Sequence, residues 1–240
     1  MRTGSGPYPQ VLPAGDEALL CAFDGGIDPQ VNARVQAYAA AVRAAAIAGV
    51  VGVVPGYHSV LVSYDPRRLD GDELARILGD LGEAEPRPEP ARHHDIPVCY
   101  GGDYGPDLGE VAAATGLTPD EVVALHAGEL YRVYCLGFSP GFPYLASLPP
   151  RLRLPRRAAP RLEVAQGSVA IAGLQTGIYP FQSSGGWHLI GRTPVRVFSW
   201  REPVSALTRP GDTVSFHPID AGTFARLERE LDPAGGASGG

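Results

Sequence analysis

Gly137-Phe138-Ser139-Pro140-Gly141 has the G-x-S-x-G spacing of a nucleophile elbow, where a serine on a sharp strand-to-helix turn attacks an acyl carbon. Two features of the same run argue against that chemistry. The residue after the serine must supply an oxyanion-hole N–H, and Pro140 has none. A helix must follow, whereas Phe142-Pro143-Tyr144 and then Pro149-Pro150 do. The run therefore predicts a rigid Pro/Gly loop that displays Phe138, Phe142 and Tyr144. His93-His94-Asp95 contains ligand-type side chains, but adjacent strand residues point to opposite faces and do not share an ion. It reads as a solvated linker end. His188, after Trp187, and His217, at the end of an apolar run, read as structural histidines. Cys21, Cys99 and Cys135 are far apart with no C-x-x-C, which leaves neither a zinc knuckle nor a disulfide framework and predicts free buried thiols. No metal ligand set is assigned.

What is missing narrows the chemistry further. All twenty positively charged residues are arginine. Without lysine there is neither a Schiff-base nucleophile nor a P-loop lysine, so anionic groups must be met by arginine, backbone N–H groups or metal. The two richest stretches are Leu136 to Leu145, LGFSPGFPYL, and Gly167 to Pro194, GSVAIAGLQTGIYPFQSSGGWHLIGRTP. The second sets Gln175, Thr176, Gln182 and Arg192 among strand-like runs and six glycines. Glycine in barrel strands permits close backbone approach and sharp corners, so these residues either line a site or only shape the barrel.

The elements that must position these residues fall into two groups. A chain of 240 residues, 44% hydrophobic and 19% charged, with mean hydropathy −0.04, is long enough for two globular domains. The net charge is −6, and no basic stretch exceeds the Arg156-Arg157 pair, so no nucleic-acid footprint is legible. Met1 to Gln10 lacks the apolar segment of a signal peptide. Ala44 to Val54 is too short to cross a bilayer, which takes about 20 residues. A soluble, cytoplasmic protein is expected.

Ala18 to Phe23 reads as a strand. Asp28 caps and Pro29 opens a helix running to Ile47 and closed by Gly49. Val50 to Val54 and Ser59 to Tyr64 pair as a hairpin. Asp70 and Glu73 form a capping box before the amphipathic run Leu74, Ile77, Leu78, Leu81. This β-α-β-β-α order is most of a ferredoxin-like unit, with a last strand placed near Ala84 to Glu85. Glu85 to Pro90 alternates proline with charge and marks the domain boundary. Beyond it come a strand at Ile96 to Tyr100, a helix at Asp107 to Thr115, and a second capped helix from Thr118 to His126. Short β-like runs follow at Tyr131–Leu136, Ser168–Ala172, Gly177–Phe181, Trp187–Ile190, Val195–Phe198 and Thr213–His217. That density predicts a closed barrel or sandwich. The tail Pro233 to Gly240 is expected to be disordered.

Four strings then resemble a known family. They are Ile96-Pro-Val-Cys-Tyr-Gly-Gly-Asp-Tyr-Gly-Pro-Asp-Leu108, Tyr131-Arg-Val-Tyr134, Leu136 to Leu145, and Gly167 to Pro194. They are similar to the family of the 5-oxoprolinase component PxpB, also called KipI or allophanate hydrolase subunit 1. Weaker likeness extends through Asp16 to Phe23 and Val50 to Asp65. Ala170 stands where members usually carry Gly, and Ser184 where they carry Pro; neither departure removes a polar group. The resemblance implies an α+β protein: a small ferredoxin-like α/β domain over residues 1–90 and a cyclophilin-like β-barrel over residues 91–240.

The resemblance also implies a function. Members act with a PxpC-like and a PxpA-like subunit to hydrolyse 5-oxo-L-proline to L-glutamate, using ATP with Mg²⁺ at the level of the complex. Others inhibit a sensor histidine kinase, which is the alternative reading. The allophanate label does not fit, since the Ser-Lys amidase chemistry it names needs a lysine. Within the matching strings, Arg192 and Gln175 are the expected catalytic residues. Phe142, Tyr144, Thr176, Tyr179, Trp187, Arg132 and Arg161 are the expected substrate-binding residues.

Overall fold

The computed structural model describes residues 9–82, 91–201 and 203–231. The chain divides into two compact units, Met1–Pro90 and Ala91–Gly240.

The first unit runs β1 (Gln10–Pro13), β2 (Ala18–Ala22), α1 (Pro29–Ala44), β3 (Val50–Pro55), β4 (Ser59–Tyr64) and α2 (Gly71–Asp80). The sheet is antiparallel, in the order β1-β2-β4-β3. Local chemistry fixes both helix starts. The Asp28 carboxylate accepts from the backbone N–H groups of Gln30 and Val31, and that of Asp70 accepts from Asp72 and Glu73. Helix α1 stops at Ala44 rather than Ile47, because Ala46 turns into the left-handed region at φ +45°. Val35, Tyr38, Ala39 and Val42 of α1 and Leu74 and Leu78 of α2 form one core with Leu19, Cys21, Val60 and Val62 of the sheet. The last strand expected near Ala84 to Glu85 lies outside the described residues. The edge position beside β2 is held instead by β1, a strand the sequence reading missed because prolines at 9 and 13 leave so short an apolar run.

The second unit runs β5 (His93–Tyr100), α3 (Leu108–Thr115), α4 (Pro119–Ala127), β6 (Tyr131–Leu136), β7 (Pro143–Ala146), a 3₁₀ turn (Pro150–Leu152), β8 (Arg161–Val164), β9 (Ser168–Ala172), β10 (Gln175–Ile178), β11 (Ser183–Gly185), β12 (His188–Arg192), β13 (Phe198–Ser199), β14 (Ser205–Ala206), β15 (Thr213–Pro218) and α5 (Ala221–Leu231). Seven strands close a barrel in the order β10-β7-β6-β15-β5-β12-β9, with β9 pairing back to β10. Within it β15 and β5 run parallel. The protein is thus mixed α+β with a closed barrel. Ile96, Val98, Tyr131, Val133, Leu145, Val169, Ile171, Ile178, Ile190, Val214 and Phe216 fill the barrel interior.

Several boundaries differ from the sequence reading. β5 begins at His93, so His93-His94 is strand and not linker end. β10 starts two residues early, at Gln175, and most of Val195–Phe198 is turn. β7, β8 and α5 have no counterpart among the expected elements. Proline at the first position of a strand is permitted, which is how Pro143 opens β7. The expected disordered tail lies outside the described residues.

Candidate functional site

The aromatic residues of the two family-like stretches gather on the outside of the barrel. Phe142, Tyr179 and Trp187 are buried there with Val164, Ala170, Ala172 and Leu189, and half-buried Tyr144 packs against them. The rings meet edge-on or tilted: Phe142 lies 5.2 Å from Tyr179, 5.6 Å from Trp187 and 5.0 Å from Tyr144 between centroids. The glycines of the strings make room for them. A Cβ on Gly177 would stand 2.7 Å from Phe142 Cζ. One on Gly185 would collide with the Tyr179 hydroxyl. Burial raises the phenol pKa of both Tyr144 and Tyr179, and Arg156 opposes the rise in each. These four aromatic residues are thus brought together, with Phe142, Tyr179 and Trp187 buried and Tyr144 half-buried.

Thr176 is not on that surface. Its side chain points into the barrel, where its hydroxyl donates to the Ala170 carbonyl at 3.0 Å and lies 2.9 Å from His126 Nε2. A hydroxyl that already donates must accept here, so Nε2 carries the hydrogen. His126 Nδ1 then accepts from the Tyr100 hydroxyl at 2.8 Å. Burial holds His126 neutral, pushing its pKa down to about 3. Tyr131 donates to the His126 carbonyl, and Phe216 stacks on the imidazole. This buried chain joins α4, β5 and β10. The sequence reading missed His126, which carries no local signal beyond its place near a helix end.

The three candidate arginines have three fates. Arg161 donates through both terminal nitrogens to Asp107, a carboxylate 2% exposed that also accepts from Arg157 Nη1 at 3.0 Å and the Leu189 N–H at 2.7 Å. Arg192 donates from Nε to the Gln166 carbonyl at 2.8 Å, lies over the Phe224 ring, and approaches Glu228 of α5 at 3.6 Å. Arg132 has no carboxylate partner among the described residues, and its Nε is buried without an acceptor. The register Gln175↔Ala146↔Arg132↔Thr213 puts Arg132 and Gln175 in one row on the outer face, with only Ala146 between them. Two residues along β7, Tyr144 shares that face.

The remaining candidates fall out as the residue chemistry requires. Among the described residues Ser139 Oγ is buried with no hydrogen-bond partner, so no histidine there is bonded to it. His93 contacts Thr213 and Ser215, while His94 pairs with Asp212 at 3.0 Å, so the two neighbours do face apart. His217 Nδ1 lies 2.9 Å from Asp95, and His188 Nε2 3.0 Å from the Pro155 carbonyl, with Nδ1 unpartnered among the described residues. Among the described residues no group of three His, Cys, Asp or Glu could hold a metal ion, and the three cysteines are free and buried. No helix among them is long and apolar enough to cross a membrane.

A closed barrel preceded by a small α/β unit is the architecture of a carboxyltransferase domain, and residues 9–207 match the family described as carboxyltransferase domain, subdomain C and D. The chain is 40% identical over 234 residues to the 5-oxoprolinase B subunit of Bacillus subtilis (strain 168), covering 92% of this chain and 97% of that protein. It is 47% identical over 174 residues to the 5-oxoprolinase B subunit of Escherichia coli O157:H7, covering 72% of this chain and 80% of that one. The crystal structure of TTHA0988 superposes with a TM-score of 0.75 at 43% identity over 85% of this chain. The present chain spans only 40% of the TTHA0988 chain. This chain belongs to the family of 5-oxoprolinase B subunits.

Proposed function

We propose that this chain is the B subunit of an ATP-dependent 5-oxoprolinase, which hydrolyses 5-oxo-L-proline to L-glutamate together with PxpC-like and PxpA-like subunits. The names of its relatives favour this over the histidine-kinase inhibitor. The lactam is an unstrained amide with a poor leaving group. In the proposed reaction, ATP, with Mg²⁺ supplying charge neutralisation, would phosphorylate the amide oxygen and release ADP. One water adds to the activated carbon and the ring C–N bond breaks, the nitrogen taking the proton, to leave an acyl phosphate. A second water then releases phosphate and gives L-glutamate. Such a transfer asks the protein for positive charge and positioning rather than covalent work, which suits a chain with no lysine and no poised nucleophile.

The observation that carries this chain's part is Arg132. Arg161 is committed to Asp107 and Arg192 to α5, which leaves Arg132 to receive the substrate carboxylate beside Gln175. The preference drawn from sequence for Arg192 gives way accordingly. The test is 5-oxoproline-dependent ATP hydrolysis by this chain alone and mixed with both partners. The mixture is expected to turn over and the chain alone to show little. Arg132→Met in the mixture should cost about 2–4 kcal/mol in kcat/KM, with Arg132→Lys between, since lysine keeps charge and loses the planar fork. Near-normal kcat/KM in Arg132→Met ends this assignment. Full turnover by the chain alone ends the dependence on partners.

A further inference from the structure

Beside the buried aromatic cluster runs a second set of rings, half-buried Phe181 and Phe198 and exposed Trp200. Phe181 and Trp200 stack at 5.9 Å with 20° between their planes, and Phe198 meets both edge-on, at 5.7 and 4.8 Å. Trp200 is 64% exposed at the tip of the β13–β14 hairpin, and Val204 is exposed on the returning side. The ridge continues onto the Leu136–Gly141 loop, since a Cβ on Gly141 would stand 2.6 Å from Phe198. On that loop Phe138 is 61% exposed and sits at φ +64°, a left-handed conformation that a bulky residue adopts only where its surroundings hold it there. Phe138 also touches Phe142 and Tyr179, which ties the ridge to the outer aromatic cluster.

Residues Leu136 to Gly141 line an open depression of about 280 Å³. In the same loop, the buried Ser139 Oγ has no hydrogen-bond partner among the described residues. Exposed rings, a strained display residue and an unanswered hydroxyl in one place are the marks of an interface seen without its partner.

We infer that the ridge formed by Phe138, Phe181, Phe198, Trp200 and Val204 is the docking surface for the partner C subunit, which would place an apolar side chain in the Leu136–Gly141 depression. The inference rests on the 5-oxoprolinase reading above. Two findings favour an occupant from the same complex. The relatives at 40% and 47% identity are named as subunits. In TTHA0988, at 43% identity, the equivalent of this chain is two-fifths of one longer polypeptide.

The protein carries a convenient reporter. It has two tryptophans, of which Trp187 is 5% exposed and Trp200 faces water. Titrating the full chain with its C subunit should shift tryptophan emission to the blue. Trp200→Phe should retain binding and lose the shift. Trp200→Ala and Phe138→Ser should weaken binding by about thirtyfold or more, the scale of an aromatic hot spot. Their melting temperatures should fall only slightly, because both side chains are mostly exposed and lose only ring-edge and stacking contacts. Val51→Ser, on an exposed residue of β3, should bind normally. Unchanged affinity in both ridge variants overturns the inference and leaves the complex intact. Dimerisation of the chain alone, read by sedimentation and abolished in Phe138→Ser while C-subunit binding persists, overturns it in favour of a second copy. If the wild-type chain neither binds the C subunit nor supports 5-oxoproline-dependent ATP hydrolysis, the 5-oxoprolinase reading falls and the inference with it.

Discussion

Asp107 shows how one buried charge decides what three arginines can do. It collects Arg161, Arg157 and the Leu189 N–H, and so pins the segment after the 3₁₀ turn to β12. Its carboxylate could not remain buried without such partners. Asp107→Asn keeps the shape but removes the charge, leaving two guanidinium groups facing an amide. The expected cost is about 2–3 kcal/mol, at the low side for a broken buried pair because both arginines are about a quarter exposed and can turn to water. Urea unfolding of the variant reads it directly, and a loss below 0.5 kcal/mol, the ordinary surface range of about ±0.5, would show the pair to be idle. Ser139 makes the opposite case. With Pro140 after it and no base near it, Ser139→Ala should leave turnover of the assembled enzyme nearly intact, whereas a true nucleophile would lose on the order of 10⁴-fold or more. That Ser139 is no nucleophile is legible in the sequence, because it depends on adjacent residues. The fates of Arg132, Arg161 and Arg192 are not, because Asp107 lies 54 positions from Arg161 and Glu228 reaches Arg192 only through α5.

Among elements, the join between α4 and the barrel has a titratable centre. His126 receives the Tyr100 hydroxyl and donates to Thr176, and it is neutral in the folded state. Its ordinary pKa near 6.5 is depressed to about 3 by burial, so the unfolded chain binds this proton and the folded one does not. Stability from His126 is therefore complete above pH about 6.5 and declines as pH falls toward 3, at about 1.4 kcal/mol per pH unit. Asp95, lowered by its His217 contact, adds a second loss only below the ordinary carboxylate range near 3.8. Urea stability between pH 6 and 4.5 should thus fall more steeply in wild type than in His126→Gln; equal slopes would mean that the imidazole is protonated in place. The same scale separates what sequence can and cannot convey. The starts of α1, α2 and α4 are legible because each cap lies within three residues of what it bonds, as with Thr118 and Glu121. β7 is hidden by Pro143, β8 carries exposed Leu162 and Glu163 in place of an apolar run, and β1 finds its pairing only in the folded sheet. The polar residues of β10 stand out in the sequence as unusual, yet Thr176 and Gln175 face opposite ways, and a start shifted by two residues cannot say which way each one points.

At the scale of the whole molecule, two cores share one chain. One is built from Leu19, Cys21, Val35, Tyr38, Val62 and Leu74, the other from the barrel residues between Ile96 and Phe216. Each core draws only on its own unit, and the division falls between Pro90 and Ala91. A joint between separately cored units is where a protease should cut first. The sequence there, Glu83-Ala-Glu-Pro-Arg-Pro-Glu-Pro90, also decides which protease can do so. Arg87 precedes Pro88, and Glu85 and Glu89 precede Pro86 and Pro90. The rigid imide bond after each removes it as a good substrate for trypsin or a glutamyl endopeptidase. Glu83 precedes Ala84 and is the exception. Arg92 is protected on the other side, since its N–H donates to Asp212 and its carbonyl accepts from Thr213. A glutamyl endopeptidase should therefore cut first after Glu83, producing two fragments that remain compact and melt cooperatively when separated. Trypsin should spare the joint. Earliest cleavage inside residues 131–194, or a fragment from Ala84 onward that is unfolded by near-ultraviolet circular dichroism, would mean that the barrel depends on the first unit and that the two cores are one folding unit.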